Sequence, residues 1–307
     1  MGRPAHRHLA ILDAPSNLGL KPPSLGKEPG VKNMPGTLRA HGILQRLRAE
    51  DAGMVIAPAY IEAIDPETGV RNAREIRDYS LLLADRIGEL LDEGCFPLVL
   101  GGDCSILLGA AFSLRKRGRY GLLFVDGHTD LQTPASSQTG GAAGMDLALV
   151  TGLGPELLTD IDCRKPYIRP EDTILCGYRR PAPGEESPAT PQRPMAAFPL
   201  TLMQHQGIAQ SIEMAVAHLE AASTMGFWVH VDMDVLATEW MFAVDSPEPG
   251  GMTPQELTTL LRTAVDSERC TGMEVTIYDP TLDPSGAGAD LIIQMLAELF
   301  SQEHKSS

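Results

Sequence analysis

The chain reads as an α/β protein of three layers, α/β/α, with helices on both faces of a mostly parallel sheet. Two observations predict this. Short apolar runs of strand length alternate with amphipathic stretches of helical period along the 307 residues, the pattern of a parallel sheet covered on both sides. Three segments dense in oxygen, nitrogen and sulfur donors, GGDCS (101–105), FVDGHTD (124–130) and HVDMD (230–234), each fall at the end of an apolar run. Open parallel sheets gather their ligands at such strand ends.

Residues 8–12 are the first strand, followed by a loop rich in Gly, Pro and Lys over 16–35. A helix over 36–49 has Leu38, Ile43, Leu44 and Leu47 as its apolar stripe. Residues 54–58 read as a second strand. A long helix over 74–93 repeats Ile76, Leu81, Leu82, Leu83, Ile87, Leu90 and Leu91 at helical spacing, and Gly94 supplies the stop. A strand over 96–100 runs into Gly101 and Gly102, and a helix over 105–117 ends at Gly118. Further strands are expected at 122–125, 173–177, 227–231 and 273–277, and helices at 209–222, 254–267 and 289–300. The proline-rich segment 181–199 reads as a long surface loop. Donor clusters lie on both sides of it, so 1–307 is taken as a single domain.

Composition narrows the function. Apolar residues are 43% and charged residues 21%, ordinary for a globular chain. A net charge of −15, from 25 basic and 40 acidic residues, argues against nucleic acid or an anionic membrane as partner. Five cysteines without CxxC spacing read as reduced thiols of a cytoplasmic protein. The apolar stretch near the N-terminus is about four residues, too short for a signal core, and no segment reaches the roughly 18 that a span needs.

The three clusters carry the chemistry. Asp126, His128 and Asp130 alternate, as do Asp232 and Asp234, so each set faces one side if extended. With Cys104 they make six candidate ligands. Taken singly, DxHxD also suits an ion-pair site and GGDCS a tight turn; three together at strand ends point to metal. Massed carboxylates near buried strand ends repel one another unless cations neutralise them. Four carboxylates and an imidazole suit manganese better than zinc, while the thiol pulls the other way. Two such ions lower the pKa of a shared water toward neutrality and supply a nucleophile. No G-x-S-x-G elbow, cysteine-protease signature or phosphate-binding glycine loop competes. Asp103 reads either as a helix cap or as support for a ligand; His230 reads first as a buried structural histidine and second as a supporting partner on the face of Asp232.

In order and spacing, GGDCS, DGHTD, HVDMD and MEV (273–275) resemble the ureohydrolase family of arginase, agmatinase, guanidinobutyrase and formimidoylglutamase. The resemblance runs from ILDAPSNLG through PGTLRAHGIL to the helix after Asp290. It implies an arginase-like α/β/α fold, a binuclear manganese site and hydrolysis of a guanidinium or amidine C–N bond. The implied ligands are Cys104, in place of the family's first histidine, with Asp126, His128, Asp130, Asp232 and Asp234. Glu274 matches the glutamate that meets the substrate guanidinium. Asp130 joins it in the catalytic set as a residue able to move protons. Arg179, Arg180 and Ser246 are placed with Glu274 among the substrate contacts. Assembly as a trimer or hexamer is implied as well.

The chain departs from the family pattern at four places. Cys104 is one. The family's second histidine, a proton shuttle, falls on Ala143. The segment YRRPA (178–182) lacks the acidic residues that read an α-amino group, and Arg179 and Arg180 suggest a carboxylate instead. The GLDP and EVNP turns become VLAT and EVTIYDP. The expected activity is therefore hydrolysis of a guanidino or amidine compound other than plain L-arginine. The alternative is a non-catalytic or one-metal member acting as a binding subunit.

Overall fold

The computed structural model describes residues 8–179 and 195–301. Eight strands form one sheet: β1 (His8–Ala14), β2 (Glu50–Met54), β3 (Cys95–Gly101), β4 (Gly121–Val125), β5 (Thr173–Cys176), β6 (Ala196–Phe198), β7 (Phe227–Asp232) and β8 (Cys270–Thr276). Their order is β2-β1-β3-β8-β7-β4-β5-β6, and every neighbouring pair is parallel. The helices are α1 (Met34–Ala40), α2 (Ile43–Leu47), α3 (Ala73–Asp92), α4 (Leu107–Arg117), α5 (Asp146–Val150), α6 (Glu156–Thr159), α7 (Leu200–Gln206), α8 (Ile208–Ala221), α9 (Pro254–Val265) and α10 (Ala287–Phe300).

The three layers follow from the alternation of side chains along the strands. Leu9, Ile11, Leu98, Leu123, Val229 and Met273 turn to one face and pack on α1, α2 and α7 to α10. Ala10, Leu12, Val99, Leu122, Phe124 and Trp228 turn to the other and pack on α3 to α6. Central strands β3, β4 and β7 are buried at every position. That explains why they read as unbroken apolar runs. In α3, Ile76, Tyr79, Leu83, Ile87 and Leu90 form the buried stripe, each side chain stabilising the packed state by about 1.5–3 kcal/mol relative to exposure.

Three expectations are corrected. The second strand is Glu50–Met54 rather than 54–58; it lies at the sheet edge with only Ala52 buried, so it carries no apolar run to mark it. The helix expected over 36–49 is two helices, because Gly42 adopts φ +84° between them, where an L side chain is strained. Within the segment read as the loop 181–199, Ala196–Phe198 is the far edge strand β6 and pairs with β5. Residues 181–194 lie outside the described residues. Among the described residues, no helix is long and apolar enough to cross a membrane.

Helix α9 opens on a capping box. Thr253 accepts the Glu256 N–H at 3.2 Å while the Glu256 carboxylate accepts the Thr253 N–H at 2.8 Å, satisfying two otherwise orphaned donors. Thr253→Ala is expected to lower stability by about 1 kcal/mol, read as a shifted urea midpoint with an unchanged slope.

Candidate metal centre

The carboxyl ends of β3, β8, β7 and β4 lie side by side at the middle of the sheet. Register sets Phe124, His230, Glu274 and Val99 in one row across these four strands. Two residues further on, Asp232 pairs with Thr276. Because side chains alternate, Asp232 and Thr276 sit directly above His230 and Glu274 on the same face. Residues over a hundred positions apart thus meet in two stacked tiers.

After β3 the backbone runs hard against the loop that follows β1. The Gly102 N–H bonds Ala14 O at 3.1 Å, and Asp103 N–H bonds Ser16 O at 3.1 Å. Asp103 accepts from Ser16 Oγ at 2.7 Å and from the Ser105 N–H at 2.9 Å. It caps the turn that presents Cys104, and this resolves its two possible readings in favour of the cap.

In the upper tier, ligand atoms of Asp126, His128 and Asp130, and again of Asp126, Asp232 and Asp234, lie within 4.8 Å of one another. Extended alternation does not bring them there. Beyond Val125 the chain turns, with Asp130 at φ +44°, and Asp234 sits in a 3₁₀ turn capped by Asp232 Oδ1 at 2.7 Å. Asp126 Oδ1 accepts the His128 N–H at 2.6 Å, and Asp234 Oδ1 accepts the Gly127 N–H at 3.1 Å. His128 Nδ1 lies 2.9 Å from Asp234 Oδ2, and its Nε2 lies 3.5 Å from the exposed Glu248.

The electrostatics call for cations. Burial pushes Asp126 above its usual range, and the Asp234 charge adds to this despite His128. Asp130 and Asp232 are pushed well up by burial first, then by neighbouring carboxylates. Burial opposes charge on His128, yet Asp126 and Asp234 more than offset it and raise its pKa. Asp126 Oδ2 is buried with no hydrogen-bond partner. Among the described residues, no lysine or arginine forms an ion pair with these four aspartates. An oxygen-rich, net-negative pocket with an orphaned carboxylate oxygen fits hard divalent cations.

The remaining candidates are placed as follows. Cys104 is buried, its Sγ 2.9 Å from Asp232 Oδ2 and 3.0 Å from Thr276 Oγ1. Glu274 is fully buried in the lower tier, its Oε1 2.7 Å from His230 Nδ1; it faces that imidazole rather than an open cleft. Ser246 is exposed, with its hydroxyl on Asp245 at 3.3 Å. Arg180 lies outside the described residues. Arg179 braces the loop with one nitrogen, its Nη2 donating to the carbonyls of Asp234, Leu236 and Glu248 at 2.9, 3.1 and 3.2 Å, while its Nε and Nη1 have no hydrogen-bond partner. Its Nη1 also fills the space a Cβ at Gly127 would need. Arg179→Ala is expected to cost about 1.5–3 kcal/mol and to loosen the loop carrying Asp234, read by urea denaturation with and without added manganese.

Sequence reasoning missed Asp146, Asp245 and Glu248, and ranked a supporting role for His230 below a purely structural one. Asp245 and Glu248 sit on a loop with no donor motif. Asp146 is a lone aspartate at the start of a short helix, and nothing in its neighbours marks it as a ligand.

Fold and site together define an α/β protein with a carboxylate-rich candidate metal centre at the carboxyl edge of a parallel sheet. The chain belongs to the arginase family, whose model matches residues 22–301. The arginase of Bacillus caldovelox is 27% identical over 302 residues, covering 96% of this chain and 98% of that protein. Its solved structure superimposes with a TM-score of 0.86 at 26% identity, over 97% of this chain and all of that one. The formimidoylglutamase structure from Bacillus subtilis shares the fold, with a TM-score of 0.72 at 19% identity over 96% of this chain and 86% of that one. The expected ureohydrolase membership and arginase-like three-layer fold are thereby shown.

Proposed function

We propose that this protein hydrolyses a C–N bond in a small guanidino or amidine compound other than plain L-arginine, using manganese. The observation that carries the reading is the pair of donor groups, Asp126 with His128 and Asp130 and Asp126 with Asp232 and Asp234, that share Asp126. These residues would hold the ions, which when bound activate a water for attack on the electrophilic carbon. Asp130, at the exposed side of the cluster, accepts a proton from the attacking water. Glu248, exposed and 3.5 Å from His128 Nε2, draws a cationic guanidinium toward the centre. Glu274, enclosed against His230, acts behind the centre rather than on the substrate.

Departure from arginine is supported by Ala143, which is nearly closed off from solvent and donates its N–H to Gly19 O at 3.1 Å. No imidazole stands there to protonate a leaving amine, so a substrate with a better leaving group is favoured. The five free cysteines support a reducing, cytoplasmic setting, and the family resemblance supports a homo-oligomer, a trimer or hexamer.

A one-metal variant of this reading is favoured by Cys104. Its sulfur, buried 2.9 Å from Asp232 Oδ2, is a softer donor than the oxygen and imidazole groups that manganese prefers. Manganese per chain, counted alongside hydrolysis of arginine, agmatine, guanidinobutyrate, hydroxyarginine and formimidoylglutamate, tests both. Manganese-dependent hydrolysis of one non-arginine compound is expected. Preference for arginine overturns the substrate assignment, and no hydrolysis by manganese-loaded protein overturns the enzyme.

A further inference from the structure

We propose that Cys104, Asp146 and His230 form a second metal site, beneath the carboxylate centre, that takes a borderline ion such as zinc. The site goes beyond the proposed hydrolytic function and stands without it. Cys104 Sγ, one Asp146 oxygen and one imidazole nitrogen of His230 lie within 4.8 Å of one another, and all three residues are buried; His230 Nε2 is 3.7 Å from Asp146 Oδ2.

The hydrogen bonding prepares the imidazole for an ion. His230 Nδ1 is tied to Glu274 Oε1 at 2.7 Å, so with Glu274 ionised that nitrogen carries the proton and Nε2 presents a lone pair. A ligating histidine is ordinarily held by a carboxylate on its other nitrogen in this way. Phe124 stacks on the ring at 4.7 Å and 14° and fixes its plane. Nε2 has no hydrogen-bond partner, and neither has Asp146 Oδ2, 3.7 Å away. Two donor atoms of fully buried side chains therefore face each other across a gap too long for a hydrogen bond.

Charge points the same way. Among the described residues, His230 is the one basic side chain within ion-pair distance of Asp146 or Glu274. Two buried carboxylates sharing one imidazole are costly to hold unless a cation joins them. A thiolate, an imidazole and a carboxylate are the donor types that zinc takes, and they suit manganese less well. Asp232 Oδ2, 2.9 Å from the thiol, offers a fourth donor. Cysteine at position 104 and aspartate at 146 then belong to one coordination set, which meets the upper tier at Asp232.

Cobalt(II) replaces zinc and reports sulfur ligation through a thiolate-to-cobalt charge-transfer band in the near ultraviolet. Full-length, chelator-stripped protein titrated with cobalt should show that band, saturating at one ion per chain. Cys104→Ser should abolish it, His230→Gln and Asp146→Asn should weaken cobalt binding at least tenfold, and Asp126→Asn should keep it. No band overturns the proposal. So does a band lost in Asp126→Asn but kept in His230→Gln, which would put the thiolate in the carboxylate centre. Zinc-edge X-ray absorption of wild-type protein at one equivalent needs no variant: one sulfur neighbour at about 2.3 Å supports the site, and a shell of nitrogen and oxygen alone overturns it. Failure of hydrolysis with the cobalt band intact would count against the proposed function and not against this site.

Discussion

Asp126→Asn is expected to abolish manganese uptake and any manganese-dependent hydrolysis, a loss of at least about 10³-fold in activity. Asp126 is shared by both upper-tier donor groups, so its loss removes a ligand from each. The orphaned, buried Oδ2 is the atom that gains most from an ion. Removing a mere supporting partner of a ligand costs about 10–100-fold in metal affinity or activity; removing a shared ligand costs more. Stability should move the other way. In the metal-free state Asp126 is pressed by burial and by the Asp234 charge, and an amide removes that repulsion while remaining able to accept the His128 N–H. Metal-free Asp126→Asn should therefore melt at or above the metal-free wild type, and it should gain nothing from added manganese. Calorimetric scans of both proteins with and without the ion check this. A manganese-dependent rise in the variant's melting temperature would remove Asp126 from the ligand set.

The central layer of the fold was legible because β3, β4, β7 and β8 bury nearly every residue, and a buried parallel strand cannot hide its apolar run. Edge strands β2 and β6 escaped because half-exposed strands carry no such run. The upper-tier donors were legible because DGHTD and DMD are dense and sit next to strand ends. Their convergence was right for a partly wrong reason, since the turn at Asp130, and not extended alternation, aims them. The lower tier was not legible. Cross-strand register pairs His230 with Glu274, and a helix from a different part of the chain brings Asp146 to them. Register and helix docking are long-range facts that a single residue such as Asp146 cannot announce. Arg179 shows the same limit: the three carbonyls that hold its Nη2 come from a distant stretch of chain, and no local pattern announces them.

Gly102→Ala should be the most damaging single-methyl substitution near the site, costing about 3 kcal/mol or more. A Cβ there would overlap the carbonyl oxygen of Ser16, with the Ser16 carbonyl carbon and nitrogen close behind. All three are backbone atoms, so no side chain can swing away to make room. Relief requires parting the β3 turn from the loop after β1, which breaks the Gly102 and Asp103 N–H bonds to Ala14 and Ser16 and frees Ser16 Oγ from Asp103. Buried backbone groups would then lose their partners, at about 1–3 kcal/mol each. The damage should reach the chemistry, because the same turn aims Cys104 at Asp232 and Thr276. Gly36 provides the control: a Cβ there meets nothing within 4 Å, and its helical setting gains from alanine by up to about 1 kcal/mol. Urea titrations should separate the two variants by several kcal/mol in opposite directions from wild type. Gly102→Ala unfolding at the wild-type midpoint would mean that the β1 loop does not sit against the β3 turn, and that Cys104 is not held where the lower metal site needs it.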